Sequence, residues 1–296
     1  MNNIKTLFTI KDLENISGVK AHTIRIWEKR YNLLTPGRTQ TNIRYYSLDN
    51  LRRLLSIVLL NKNQYKISRI AQMSEDQINI LARGMSTDFA VNEKAINEFK
   101  LAMFNFDRTM FNTTYSELLT QKTFKELVKD VFIPFLNHIG LLWQTDTLSP
   151  GHEHFISNLI IQKIQINIEK IQYSIVDEGK KYVLFLPDGE IHEIGLLYLN
   201  YELLSRGFST VYLGQSLPIK DLHYFLEEEE VVFVSTNTIR PYIDDLDTYF
   251  AEIKSLLKNT NHQFISIGSR TLDFQKMYSQ ENIKFHSCFE NFLQDI

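Results

Sequence analysis

Three stretches of this chain hold residues able to do chemistry. The first is basic: His22, Thr23, Arg25, Lys29 and Arg30 sit close together, and Arg38 and Arg44 follow. Guanidinium and ammonium groups at that density bind phosphate oxygens, and such side chains also reach base edges, so nucleic acid is the partner they suit. The second is Leu186-Pro187-Asp188-Gly189-Glu190-Ile191-His192-Glu193-Ile194-Gly195, where carboxylates flank a histidine. Taken alone, His192 is as readily an ordinary loop histidine as a ligand. The third is sparser: Trp143, then Glu153-His154 after nine intervening residues. No Ser/His/Asp arrangement, paired catalytic carboxylates or phosphate-binding glycine-rich loop stands out, so a binding protein is expected rather than an enzyme.

The charge is divided in the same sense. Residues 1–75 hold 13 Lys/Arg against 5 Asp/Glu, net +8, whereas residues 76–296 hold 19 against 30, net -11. Only the head has the sign that attracts phosphates. The acidic run Glu227–Glu230 reads as a solvated surface. One cysteine, Cys288, excludes an intrachain disulfide and any multi-cysteine zinc site. Met1 to Phe8 is too short and polar for a signal peptide, and no run approaches the roughly 20 apolar residues of a membrane span. A cytoplasmic protein without a membrane partner is expected.

These residues need elements to hold them. At 296 residues, two or three compact units are expected. In residues 1–84, Thr9 can cap a helix from Ile10 that presents Ile10, Leu13 and Ile16 on one side before Ser17-Gly18-Val19. A second helix follows over Ala21–Tyr31, with Ile24 and Trp27 inward. Two short helices across a glycine turn make a helix-turn-helix, and His22, Thr23, Arg25 and Lys29 can then face DNA, with Arg30 reaching backbone. Thr35–Asn42 and Ile43-Arg44-Tyr45-Tyr46 read as a two-stranded wing bearing Arg38 and Arg44 for phosphates. Ser47 caps the next helix, with Leu48, Leu51, Leu54 and Leu55. One short helix is expected over Ile67–Arg83.

Residues 91–176 carry helical spacing, as in Phe99, Met103, Phe106 and Ile156, Leu159, Ile160, Ile164, with breaks near Phe106-Asp107, Gln121-Lys122 and Ser149-Pro150-Gly151. That predicts a four-helix bundle. In residues 180–296, the runs Tyr182–Leu186, Thr210–Leu213, Val231–Ser235 and Phe264–Ile267 alternate with helical segments. A doubly wound, Rossmann-like parallel sheet is expected, with its ligand at the carboxyl ends of the strands. The fold class is thus multidomain, α and α/β.

Thr23-Ile24-Arg25-Ile26-Trp27-Glu28-Lys29-Arg30-Tyr31, with Arg38 next and Arg44-Tyr45-Tyr46 ahead of a helix, resembles the DNA-binding domain of the MerR family over its full length. The resemblance implies a dimeric protein on a near-palindromic double-stranded operator. Many relatives dimerise through a long coiled coil after the wing. Here only a short helix follows, so dimer or tetramer contacts are expected from the sensor and repression by occlusion is favoured.

Glu190-x-His192-x-x-Gly195 resembles the Asp-x-His-x-x-Gly signature of cobalamin-binding domains. The resemblance implies that His192 is the lower ligand of cobalt, that Glu190 hydrogen-bonds its other ring nitrogen, and that Gly195 lets the following helix approach the nucleotide tail. Ser235 and Gly268 fall where the family borders that tail. Asn237 and Ser269 depart from the usual leucine and glycine and make the tail site more polar. Trp143-x9-Glu153-His154 is similar to the pattern of the CarH/LitR-type light-responsive repressors, which share this domain order. It implies Trp143 as a cap beside an adenosyl group, Glu153 as its contact and His154 as an upper cobalt ligand after photolysis. His152 is expected to face solvent. The implied function is a repressor under adenosylcobalamin and light control. The alternatives are a repressor whose cobalamin-like domain works cofactor-free or with another ligand, and a corrinoid enzyme module, which the DNA-reading head disfavours.

Overall fold

The computed structural model describes residues 7–171, 180–228, 230–236, 246–268 and 271–296. They form two compact units, Met1–Leu159 and Ile160–Ile296. Among the described residues no helix is long and apolar enough to cross a membrane.

The first unit opens with β1 (Leu7–Phe8), α1 (Ile10–Ser17) and α2 (Ala21–Tyr31). Thr9 and Asp12 close a reciprocal capping box on α1, satisfying amides that a helix start leaves bare. Gly18 ends α1 in the left-handed region, φ 75°, where a side chain would be strained. β2 (Gly37–Arg38) and β3 (Arg44–Ser47) form an antiparallel hairpin, and β1 pairs with the other edge of β3. The wing therefore has three strands, where the sequence suggests two. A two-residue strand has no periodicity to read.

Ser47 caps α3 (Leu48–Lys62), whose Leu51, Leu54 and Leu55 are buried. The span 67–83 is two helices, α4 (Ile67–Ile70) and α5 (Glu75–Arg83), instead of one. Ser74 and Gln77 form a second capping box, which starts a new helix.

Four helical segments follow: α6 (Asp88–Asn105), α7 (Arg108–Leu119), α8 (Phe124–Leu127) running through a π-turn (Val128–Phe132) into α9 (Ile133–Gln144), and α10 (Pro150–Ile171). Pro134 lacks an amide hydrogen, and the wide turn just before it accommodates that loss. The core is aromatic: Phe99 packs on Phe111, Phe132 and Phe135 with centroids 4.9, 5.5 and 5.8 Å away. Phe104, on α6, is buried, whereas Phe106 closes α6 in a left-handed conformation and is 36% exposed. The stripe thus shifts from the expected Phe106 to Phe104 at the helix end.

Lys100 on α6 is buried, and its Nζ donates to the carbonyl of Ile16 in the last turn of α1 at 3.1 Å. A cation suits that helix end, yet burial pushes the ammonium down to about 8 from its ordinary 10.5. Between those values the native state holds fewer protons than the unfolded chain, so this group makes stability rise with pH. Lys100→Met should flatten that rise. Urea denaturation at about pH 7.5 and about pH 10 should show the wild type gaining roughly 2–3 kcal/mol over the variant. Equal slopes in the two proteins would contradict it.

In the second unit, β4 (Lys181–Pro187), β5 (Ser209–Leu217), β6 (Val231–Thr236), β7 (Gln263–Ile267) and β8 (Ile283–His286) form a parallel sheet in the order β5-β4-β6-β7-β8. Alternate residues of β4 feed two cores: Val183 and Phe185 join Phe250 and Ile253 of α12 (Leu246–Leu256), while Tyr182, Leu184 and Leu186 join Leu196 and Leu199 of α11 (Ile194–Ser205). Both faces are covered, as a run of consecutive apolar residues in a parallel strand requires. Two elements depart from the alternation seen in the sequence: β5 and β6 are joined by a 3-10 segment, Ile219–Phe225, and β8 is a fifth strand. α13 (Leu272–Tyr278) and α14 (Phe289–Gln294) complete the unit. Glu228 of the acidic run pairs with Lys181; Glu229 lies outside the described residues.

Candidate functional site

On α2, Ile24 and Trp27 are buried, which turns His22, Arg25, Lys29 and Arg30 outward, all exposed, with Thr23 half-buried. The wing is fastened to this helix by Glu28. Its Oε1 accepts from Arg44 Nε at 2.8 Å and its Oε2 from the Tyr46 hydroxyl at 3.0 Å. The hydrogen bond and the charge of Glu28 raise the Arg44 guanidinium above its ordinary value; burial and the same carboxylate push the Tyr46 phenol up. Arg44, expected on phosphates, is thus committed in part to Glu28, because a carboxylate one turn from the C-terminus of α2 lies opposite its strand.

Arg38 instead stands exposed and donates to Asn42 Oδ1 at 2.7 Å across the wing tip. Tyr45 is half-buried and covers Gly37: a Cβ there would meet its ring 2.3 Å away, so any larger residue would displace the tyrosine. Glu28 escaped the sequence reading, though its signal was present as the one acid in a basic helix.

In the same unit, Trp143 near the end of α9 is 43% exposed, and its Nε1 donates to Glu153 Oε2 on α10. The structure brings these two together; His154, the next residue, is exposed. His152 is 2% exposed, contrary to the expected solvent-facing position. Its Nδ1 lies 2.6 Å from Ser149 Oγ, and its ring stacks on Phe106 and tilts against Phe104 at 4.8 and 5.4 Å. The left-handed bend at Phe106 folds that ring back over the histidine.

In the second unit, the loop after β4 lies at the carboxyl end of the sheet, where the chain order reverses between β4 and its neighbours. Glu190 is 2% exposed. Its Oε1 lies 2.6 Å from His192 Nδ1 and accepts from the amides of Ile191 and His192 at 2.8 and 2.9 Å. Burial pushes this carboxyl up, but the His192 ring and those amides together hold it below its ordinary value. An imidazole held this way carries its proton on Nδ1 and its lone pair on Nε2, the form that ligates a metal. Glu190 Oε2 is buried with no hydrogen-bond partner.

Residues of β5 that the sequence did not mark brace this loop. Ser216 Oγ accepts from the Gly189 amide and donates to Asp188 Oδ1, both at 2.9 Å, while Tyr212 and Gln215 donate to Glu193 at 2.8 and 2.7 Å. The pairing of β5 with β4 shifts register on either side of Phe185, within this stretch. Gly195 abuts Phe289, whose ring a Cβ would meet at 2.9 Å, so its smallness also lets α14 pack close.

Ser235, at the end of β6, is fully buried, and its hydroxyl has no well-formed partner. Gly268 follows β7 with φ 148° and donates to the His286 carbonyl at 2.9 Å. Asn237 and Ser269 lie outside the described residues. A cleft of about 370 Å³ at the same strand ends is lined by Asp188, Leu217, Ile219, Tyr249 and Glu252; it takes in Asp188 but not His192. Among the described residues no three His, Cys, Asp or Glu converge on one point as a metal cage. His192 offers a single ligand, which suits a metal whose other ligands come with it.

Comparison with known proteins covers the head and the helical bundle. Residues 8–77 match a family described as MerR HTH family regulatory protein, and residues 95–166 match one described as B12 binding domain. The HTH-type transcriptional repressor CarH of Myxococcus xanthus is 25% identical over 238 residues, covering 78% of this chain and 79% of that protein. The HTH-type transcriptional repressor CarA of the same organism is 23% identical over 212 residues, covering 71% and 68%. The monomethylamine corrinoid protein of Methanosarcina barkeri superposes with a TM-score of 0.52 at 12% identity, covering 69% of this chain and all of that one, a likeness of fold alone. The chain thus joins a MerR-like helix-turn-helix to a B12-binding domain and is homologous, at 23–25% identity, to the regulators CarH and CarA.

Proposed function

We propose that this protein is a transcriptional repressor, not an enzyme, whose hold on a near-palindromic operator is set by adenosylcobalamin and released by light. The observation that carries the reading is the Glu190–His192 relay: a buried carboxylate fixes the tautomer of an imidazole at the switch point of a parallel sheet. The unpartnered Glu190 Oε2 is a buried polar atom available to a polar ligand, so this loop fits a corrinoid. His192 would ligate the cobalt and Ser235 and Gly268 would hold the nucleotide tail; in the first unit, Trp143, Glu153 and His154 are the residues that would answer to the adenosyl group.

Bound adenosylcobalamin supplies a light-labile cobalt–carbon bond. The chain's part is to hold one arrangement with the upper substituent present and another without it, a two-state switch. Self-association as a dimer or tetramer supplies the second half of the operator contact.

One observation favours a second reading, in which the same repressor works without cofactor. Trp143 and Glu153 already satisfy each other. Absorption spectra separate the two. Protein purified with adenosylcobalamin should retain it in darkness and shift on green light; no bound chromophore, or no shift, would leave the cofactor-free repressor.

A further inference from the structure

The turn 145–149 that joins α9 to α10 connects Trp143 with Glu153, and it also touches the DNA-reading head. Thr145 Oγ1 donates to the carbonyls of Leu141 and Leu142, the two residues just before Trp143, both at 3.1 Å. The same hydroxyl lies 3.0 Å from Thr147 Oγ1. Thr147 is 1% exposed and accepts from Asn15 Nδ2 of α1 at 2.8 Å. A polar chain therefore runs from the last turn of α9 to the first helix of the helix-turn-helix.

Two apolar or charged contacts run beside it. Ser149 holds His152, His152 packs on Phe104, and Phe104 meets Phe8 of β1 edge-on at 5.3 Å. Lys100 holds the carbonyl of Ile16, the neighbour of Asn15. The last turn of α1 is thus gripped from the bundle immediately before Gly18, the turn that aims α2.

We propose that the turn 145–149 transmits the state of the Trp143–Glu153 pair to the DNA-reading head through the Asn15–Thr147 hydrogen bond. This rests on the reading of Trp143 and Glu153 as the sensing pair. The pair ties together the two helix ends that the turn joins, so opening it would release Thr145 and Thr147 from one side. A buried hydrogen bond tolerates only a few tenths of an ångström before it is lost, which makes the response a switch rather than a gradual drift. Coupling needs an element whose two arrangements both sites bias, and in this proposal that role falls to the last turn of α1, which Thr147 and Lys100 both hold.

Hydrogen exchange on the full chain, without cofactor or DNA, tests the coupling. Glu153→Ala, which removes the acceptor for Trp143, should accelerate amide exchange in residues 145–149 and in residues 14–18, by roughly threefold or more in each. In an Asn15→Leu background the same substitution should accelerate 145–149 and leave 14–18 as in Asn15→Leu alone. Thr147→Val, which keeps the shape and removes the hydroxyl, should behave as Asn15→Leu does. Acceleration confined to 145–149 in the otherwise wild-type chain, or acceleration in neither segment, would overturn the proposal.

A second arm addresses regulation. Asn15→Leu should bind cobalamin with an unchanged spectrum yet lose the difference in operator affinity between dark and illuminated protein. A wild-type chain that takes up no cobalamin would sink the sensing role of the pair, while the exchange result would still decide the coupling.

Discussion

Glu28→Ala should cost this protein both stability and operator affinity, whereas Arg25→Ala should cost affinity alone. Glu28 is the only carboxylate joining α2 to the wing among the ion pairs of the described residues, and it serves two donors at once. Tyr46 is fully buried, so removing its acceptor strands a phenolic hydroxyl, at about 1–3 kcal/mol. The half-exposed Arg44 adds little to that figure, since water can take its place. Arg25 is exposed and, among the described residues, makes no hydrogen bond or ion pair. Arg25→Ala should leave the urea midpoint in place and weaken binding to a duplex selected from random DNA by about 1–3 kcal/mol, with relaxed sequence preference.

The wing arginines should separate as well. Arg38→Ala should lower the salt slope of binding by about 1, and Arg44→Ala by less, because Glu28 already neutralises much of its charge. Urea denaturation with anisotropy titrations across salt concentrations reads all four. A wild-type urea midpoint for Glu28→Ala would mean that the wing is held by something else.

What the sequence made legible here follows from how local each signal is. α2 is framed by a glycine turn and an asparagine in the left-handed region, so its limits at Ala21 and Tyr31 were visible from neighbouring residues. Ser74 carried an equally local signal, a capping box with Gln77, but the apolar spacing from Ile67 to Ala82 runs through it and suggests one helix. The partners of Arg44 and His152 were not legible, because both are decided by chain that arrives from elsewhere: Glu28 from sixteen residues away, Phe104 across a reversed helix end. The relay residues Glu190 and His192 are two apart and could be paired on paper; the bracing by Ser216, Tyr212 and Gln215 comes from a different strand, β5, and no local pattern announces it.

That bracing bears on the second large effect, the division of labour within the relay. His192→Ala should abolish ligation by the protein, and Glu190→Ala should weaken hydroxocobalamin binding by about 10–100-fold while leaving some ligation. The reason is that Glu190 does two jobs. It polarises the ring through Nδ1, and it ties down the amides of Ile191 and His192, which fix where the ring points.

Glu190→Gln separates them, since an amide oxygen still accepts from those groups but no longer carries the charge that favours a basic imidazole. It should therefore fall between wild type and Glu190→Ala. Ser216→Ala loosens the loop without touching the ring, so it should cost only a few-fold in a titration followed by absorption. Were Ser216→Ala as damaging as Glu190→Ala, loop position would govern the site and the carboxylate's charge would be incidental. Were Glu190→Gln as good as wild type, the charge would again be dispensable, and the extra methylene that distinguishes this glutamate from an aspartate would matter only for reach.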